Sequence, residues 1–440
     1  ARSSVKYALE KGIKKGRLEI HDNTGLTSYG VDGVGEDGVP PAASIRVLNE
    51  DFWLRLFLSY DIGFGEAYLA GDFKSPDVKA VLNLYVDNLD TLRALESPVY
   101  KLSAYINMFM MRFFNHGLSK AIENAAGYEA SNDLYMAFLS KEMQYSVPIW
   151  TDAEGGPRGD LEGKRVSGDL ETAQARKIQH ILTKARLRPG DRLLEVGSGW
   201  GGVAIACWVQ AAKMGCTVDT LTLATEQKKY IEQKIKGTDL ESRIHVHLLD
   251  YRNMPREWEG KFDAFCSLEM LEVVGRTYMP VYLRQIDRAL KKERSAVVLT
   301  GATYPEAAYT PYQKNDFIRK YHWPNGVSPS ATSLVKDFEH AWGRSFCLES
   351  VEDFGPNYPR CLREWARRLR ENWNEDLERS LSDKYPELSD KANMDVFRRK
   401  WEYMFVYMEV GYARVWVSSH CWTLVRPVSN YRVDISSSRS

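Results

Sequence analysis

The run LLEVGSGWGG at residues 193 to 202 constrains this chain more than any other, because an apolar strand breaks there into Gly197, Gly199 and Gly201. A turn of this kind lets a ligand sit against bare backbone. The helix expected after it, at about 203 to 213, aims its N-terminal N–H groups at whatever binds. The glycines read G-x-G-x-G and lack the G-x-x-x-x-G-K-[ST] of a phosphate-binding loop, so no lysine is supplied for a triphosphate. Nucleotide hydrolysis is disfavoured. The next strand, 216 to 224, brings Thr222 and Thr225 to the place where a dinucleotide-binding fold sets a ribose-binding carboxylate, which argues against a nicotinamide cofactor.

A third strand, 243 to 250, carries Asp250 and Tyr251 to its carboxyl end, and a fourth, 261 to 270, leads into Leu271, Glu272 and Gly275. In an open α/β sheet ligands bind along that edge. An aromatic, an acid and a glycine loop on one rim suit a nucleoside joined to an amino acid. The expected fold is therefore α/β, a Rossmann-like doubly wound sheet of the class I methyltransferase kind, with helical additions and a smaller N-terminal α/β domain. S-adenosylmethionine (SAM) is the expected methyl donor and S-adenosylhomocysteine the product. The competing reading is a doubly wound domain whose strand ends are ordinary loop residues.

Read together, GSGWGGVAI, TLATEQKKY (222 to 230), LLDYR (248 to 252), SLEMLEVVG (267 to 275) and FIRKYHWPNGVSPS (317 to 330) resemble the cyclopropane fatty acid synthase family. GEAYLAGDF (65 to 73), MQYSVPIW (143 to 150) and LETAQARK (170 to 177) agree, in order, and the similarity is to the plant and fungal branch. The resemblance implies that Tyr145, Ser146, Gly197, Gly199, Trp200, Thr222, Gln227, Asp250 and Tyr251 surround SAM. The glycines supply close approach, Thr222 and Gln227 reach the ribose or amino-acid end, and Asp250 with Tyr251 lies near adenine. It further implies Glu272, Tyr128 and Thr300 as the catalytic positions.

Methyl transfer to an alkene leaves a carbocation, which a protein stabilises with aromatic faces or carboxylates and resolves by proton removal or hydride addition. In the family, proton removal is attributed to a bicarbonate held by a small polar cluster. Here the cysteine of that cluster is Val147, the His or Ala after Glu272 is Val273, a later His or Gln is Thr300, a tyrosine after Trp365 is Ala366, and Gly127 and Glu129 replace a histidine and an aspartate. Bicarbonate is thus doubtful. The reading these residues favour is SAM-dependent carbon methylation of an alkene in a hydrophobic substrate, an unsaturated acyl chain, with or without cyclopropane closure. The alternative is a SAM-binding cyclase or isomerase, or a C-methyltransferase of a polyketide or terpenoid.

At 440 residues two domains are expected, an N-terminal lipid-handling-like module with a helical linker over 1–115 and a catalytic domain over 116–440. With 59 basic and 59 acidic residues, no nucleic-acid footprint stands out. No N-terminal signal and no apolar run long enough to span a bilayer is visible, so the expectation is a soluble, cytoplasmic protein with at most peripheral membrane contact. The family resemblance adds a homodimer. Six cysteines lie scattered without a CxxC pair, and eight histidines form no HExxH, so no metal site is expected. The segment 151 to 169, rich in glycine and charge, reads as a flexible loop, either a lid or a surface insertion. Arg363, Arg367 and Arg370 fall on one helix face, either a lipid-headgroup patch or, with the better claim, a solvated face paired with Glu371 and nearby acids.

Overall fold

The computed structural model describes residues 1–30, 42–93, 131–205, 215–324 and 326–426. They form two compact units, the first made of Ala1–Gly117, Thr310–Asn325 and Leu362–Arg414, the second of Leu118–Tyr309, Gly326–Cys361 and Val415–Ser440.

In the first unit, β1 (Arg17–Asp22) and β2 (Gly25–Gly30) make an antiparallel hairpin, and β1 pairs in parallel with β3 (Ala42–Val47), which pairs with β4 (Phe73–Lys74). Asp22 fixes the hairpin turn: its carboxylate accepts from Thr24 N at 2.9 Å and Thr24 Oγ1 at 2.6 Å. It also pairs with Arg2 at 2.7 Å and Lys6 at 2.9 Å. Although burial opposes ionisation, these partners hold the Asp22 carboxyl well below the usual range. The aromatic stretch after residue 51 is helical, Asp51–Ala70, with a break at Tyr60 (φ 48°) and an end at Gly71 in the left-handed conformation. Leu18, Ile20, Ile45, Phe52, Trp53 and Phe73 fill the core.

The division differs from the expected 1–115 and 116–440, because two later segments join the first unit. The long helix Lys391–Ala413 packs on helices Asp51–Ala70 and Val78–Asp87. Its Tyr403 and Val410 share an apolar cluster with Leu69, Leu82 and Phe317. Burial of that apolar surface is the physical reason for the grouping. On helix Tyr358–Asn372, Arg363 pairs with Glu409 at 2.9 Å, and Arg367 with both Glu364 at 2.5 Å and Glu371. Two of the three arginines are thus engaged by acids, which favours the paired-face reading.

The second unit holds a seven-stranded sheet in the order β10-β11-β9-β8-β5-β6-β7. Its strands are β5 (Arg192–Val196), β6 (Thr217–Thr222), β7 (Ile244–Leu248), β8 (Ala264–Leu268), β9 (Ala296–Thr303), β10 (Cys347–Asp353) and β11 (Ser418–Val425). β5 to β9 run parallel, and β11 is antiparallel to both β9 and β10. The sheet is α/β and doubly wound, as expected from the sequence. Chain order runs outward from β5 through β6 and β7, then resumes on the other side at β8. That reversal opens a crevice at the carboxyl ends of β5 and β8.

The segment 151 to 169 departs from the flexible loop its composition suggests. Thr151 and Glu154 form a capping box, and Arg176 grips Glu154 at 2.9 and 3.0 Å. Arg360, only 1% exposed, donates to the carbonyls of Glu154 (2.8 Å) and Gly156 (2.9 Å), pairs with Asp169 at 2.9 Å and lies 4.0 Å over the Trp150 ring. The first half of the segment is pinned, and only 161–168 is exposed throughout. Of the cysteines, Cys216, Cys266, Cys361 and Cys421 are buried free thiols and Cys347 is exposed; Cys207 lies outside the described residues.

Candidate active site

The crevice is a cavity bounded by the ends of β5, β6, β7 and β8 and by residues 143–146. Its floor is the glycine turn. Gly197 (φ 92°), Gly199 (φ 49°) and Gly201 (φ 82°) all lie in the left-handed region, which favours glycine. Gly197 N and Ser198 N both donate to Leu221 O at 3.0 Å, which docks the turn on β6. A Cβ at Gly199 would meet no atom of the described residues beyond its chain neighbours within 4 Å, and Gly199 lines the cavity, so the space above it belongs to the cavity. Helical residues follow at 202–205; the rest of the expected helix lies outside the described residues.

Of the sequence-chosen binding residues, Tyr145, Ser146, Gly197, Gly199, Trp200, Thr222, Gln227, Asp250 and Tyr251 all line this one cavity. Trp200 is set by a 2.8 Å bond from its Nε1 to Asn132 Oδ1 and by the Tyr135 ring at 4.5 Å. Thr222 Oγ1 donates to Gln227 Oε1 at 2.7 Å, joining the end of β6 to the next helix, Thr225–Ile235. Asp250 is engaged by its neighbour Arg252, which stands 4.9 Å over the Tyr278 ring. Arg252 and Tyr278 line the cavity and were not singled out from the sequence.

The catalytic positions fare differently. Tyr128, with Gly127 and Glu129, lies outside the described residues. Glu272, at the start of the short helix Leu271–Val274, turns its carboxyl to strand β9, where Oε1 accepts from Ala302 N; Oε2 is buried without a hydrogen-bond partner among the described residues. Thr300, buried on β9, accepts the Glu269 N–H on its hydroxyl at 3.2 Å. Neither Glu272 nor Thr300 is among the described cavity-lining residues.

Burial, with the Glu269 charge adding to it, pushes the Glu272 carboxyl up to about 8. Near pH 7 the group is therefore mostly neutral. The folded protein keeps a proton there that the unfolded chain has released, so stability drops as pH rises from about 4.5 to about 8. Glu272→Gln should therefore match wild type in apo stability near pH 5 and exceed it near pH 9 by an amount on the order of 1–3 kcal/mol. Denaturant melts at the two pH values check this, and a pH-independent difference would refute the neutral carboxyl.

The sequence reading passed over a second group of charges. Lys177, 1% exposed on helix Asp169–Ala185, donates to Gln144 Oε1 at 2.6 Å and Ser146 Oγ at 2.7 Å. Burial draws its ammonium down to about 8, against the attraction of Glu269 and Glu195. Burial also pushes Glu195 up to about 8, against a 2.5 Å hydrogen bond from Thr220 and the charge of Lys177. Glu269, on the cavity wall, accepts from Val147 N at 2.9 Å and from the Tyr358 hydroxyl. One signal was available: Lys177 and Gln174 interrupt the buried stripe Leu170, Ala173, Ile178, Ile181.

Residues 117–392, more than half of the chain, match the family model of mycolic acid cyclopropane synthetases. The chain belongs to this family. It is 30% identical over 360 residues to the cyclopropane-fatty-acyl-phospholipid synthase of Escherichia coli, covering 81% of this chain and 82% of that protein. It is 28% identical over 368 residues to the tuberculostearic acid methyltransferase UfaA1 of Mycobacterium tuberculosis, covering 83% and 79%. In fold it is similar to the cyclopropane synthase MmaA2 of M. tuberculosis (TM-score 0.56, 19% identity, 70% of this chain and 98% of that one). It is similar also to coclaurine N-methyltransferase bound to N-methylheliamine and SAH (TM-score 0.61, 18% identity, 83% and 99%).

The protein is a SAM-dependent methyltransferase of the cyclopropane-synthase type. Its cavity fits that cofactor on its own geometry. The space over Gly199 admits a ligand against the backbone, and Ser198 Oγ in the same turn is buried with no partner among the described residues. SAM, when bound, supplies an electrophilic methyl group on a sulfonium. Among the described residues no cluster of three or more His, Cys, Asp or Glu is arranged to hold a metal ion.

Proposed function

We propose that this methyltransferase moves the SAM methyl group onto a carbon–carbon double bond of an unsaturated acyl chain, with proton loss completing the product. The observation that carries this reading is the 30% identity to a cyclopropane-fatty-acyl-phospholipid synthase across four-fifths of the chain. The cavity agrees with it. Tyr145, Trp200 and Tyr251 present aromatic surface on its walls, which suits a sulfonium and a developing carbocation, and carboxyls lie beside them. In this reading Gly197 to Trp200 seat the methionine part, Asp250 to Arg252 the adenosine end, and residues 143–146 exclude water from above.

The substrate reaches the enzyme from a membrane surface by peripheral contact, in the cytoplasm, and the enzyme works as a homodimer; these belong to the same proposal. No helix among the described residues is long and apolar enough to cross a membrane. A second reading, a SAM-binding cyclase or isomerase, draws on Val147 and Ala366, where the family has a cysteine and a tyrosine, and on Val273, where it has a histidine or an alanine.

One experiment separates them. Purified protein is incubated with SAM and vesicles of monounsaturated phospholipid, and both lipid mass and S-adenosylhomocysteine are measured. A 14-dalton gain on the acyl chain with equimolar S-adenosylhomocysteine is expected. Turnover of another substrate without S-adenosylhomocysteine would favour the cyclase.

A further inference from the structure

Methyl transfer to an alkene leaves a carbocation whose neighbouring proton must go to a base. Among the described residues, Asp250, Glu195 and Glu269 line the cavity and Glu272 lies beside it. Asp250 is tied on both oxygens to Arg252. Glu195 sits under the glycine turn, hydrogen-bonded by Thr220. Glu272 is turned to the β9 backbone. Among the described residues, Glu269 alone combines a place on the cavity wall with donors on both oxygens, Val147 N–H on Oε1 and the Tyr358 hydroxyl on Oε2, and with Lys177 close enough to feel its charge.

Backbone geometry gives an independent reason to look at this residue. Glu269 has φ 51°, in the left-handed region that side-chain-bearing residues rarely adopt and that glycine would relieve. The conformation is held from the other side, since Glu269 N donates to Thr300 O at 3.0 Å and to Thr300 Oγ1 at 3.2 Å. A carboxylate kept at such a position is strain of the kind that collects at functional sites.

Resting on the acyl-alkene reading above, we propose that Glu269 is the base that takes the proton from the carbocation. Either a C–H bond of the transferred methyl group breaks and its electron pair closes the ring bond to the cationic carbon, or a C–H bond on a carbon adjacent to the cationic carbon breaks and its pair forms a new C=C bond; in both cases the proton goes to a Glu269 carboxylate oxygen. Release of that proton to water restores the carboxylate. The balance needs no oxidant, reductant or external anion. Val147 N–H and Tyr358 hold the oxygens in place, so the Val147 backbone serves where the family's cysteine side chain is missing. Burial raises the Glu269 carboxyl above its ordinary value, while Tyr358, Val147 N–H and Lys177 oppose it. A raised carboxyl is a stronger base, provided it stays ionised.

The test uses Glu269→Gln and Glu269→Gly with SAM and monounsaturated phospholipid vesicles, in buffer freed of carbon dioxide. Wild type should keep its turnover without bicarbonate. Glu269→Gln should lose roughly 10²- to 10⁴-fold in turnover, while its calorimetric affinity for SAM stays close to wild type. Glu269→Gly removes the carboxylate, relieves the backbone strain and leaves a gap; added formate or acetate should restore part of its turnover and none of that of Glu269→Gln. Full turnover in either variant, failure of carboxylates to rescue a folded Glu269→Gly that binds SAM, or a bicarbonate requirement in wild type would each overturn the assignment. If wild type itself adds no 14 daltons to any acyl chain, the acyl-alkene reading falls and this assignment falls with it.

Discussion

Arg360→Ala should destabilise the second unit by about 3 to 5 kcal/mol, the range for removing one partner of a buried ion pair. The guanidinium has no solvent to replace its partners: Asp169 is 4% exposed, and the Glu154 and Gly156 carbonyls take hydrogen bonds from the same Arg360 nitrogen. Truncation leaves the buried Asp169 carboxylate and the Glu154 carbonyl without this donor and the Gly156 carbonyl with only the Gly159 N–H at 3.3 Å, and also strips the Trp150 ring of its cation. Arg360→Lys keeps the charge but not the fork that reaches Asp169 and the carbonyls together, and should fall in between. Denaturant unfolding gives the energies, and limited proteolysis within 151–169 reports whether that segment is released first. Wild-type stability in Arg360→Ala would mean that the segment is held by Glu154 and Arg176 alone.

The same arginine shows why part of the fold was hidden in the sequence. Local composition describes what a segment can do without partners, and 151–169 has the glycines and charges of a loose loop. Its order comes from a residue some two hundred positions later. The joining of Lys391–Ala413 to the first unit was hidden in the same way, because the surface that covers Tyr403 and Val410 is built from Leu69 and Leu82 far upstream. What local pattern does specify was readable: the apolar strand, glycine turn and helix start at 192–205, and the parallel strands whose ends make the rim.

The site divides along the same line. Gly197, Gly199, Thr222, Asp250 and Tyr251 sit at strand ends, and a doubly wound sheet brings strand ends together whatever the rest of the chain does. Glu269 stands in the run SLEMLEVVG one residue beyond β8, but the family pattern marks Glu272 instead. Only the folded chain shows that the Glu269 carboxylate meets Val147 and Tyr358, while burial neutralises Glu272. Periodicity assigns faces of helices and strands; it says little about which of two acids three residues apart meets hydrogen-bond donors on both oxygens.

Gly199→Val should abolish SAM binding while leaving a folded protein. At φ 49° a β-branched side chain is strained by roughly 1–2 kcal/mol, which lowers the melting temperature without unfolding the domain. Among the described residues no atom beyond the chain neighbours lies within 4 Å of the added Cβ, so the fold there has room and the ligand is what the side chain displaces. Gly199→Ala separates the two effects, because alanine carries most of the backbone strain and less of the bulk. Calorimetry should show at least about a hundredfold loss of SAM affinity in Gly199→Val, equal to some 2.7 kcal/mol, and a smaller loss in Gly199→Ala. Circular dichroism and the melting curve establish that both variants are folded. Equal loss in the two variants would point to backbone strain rather than occupied volume, and undiminished affinity in Gly199→Val would move the cofactor away from the glycine turn altogether.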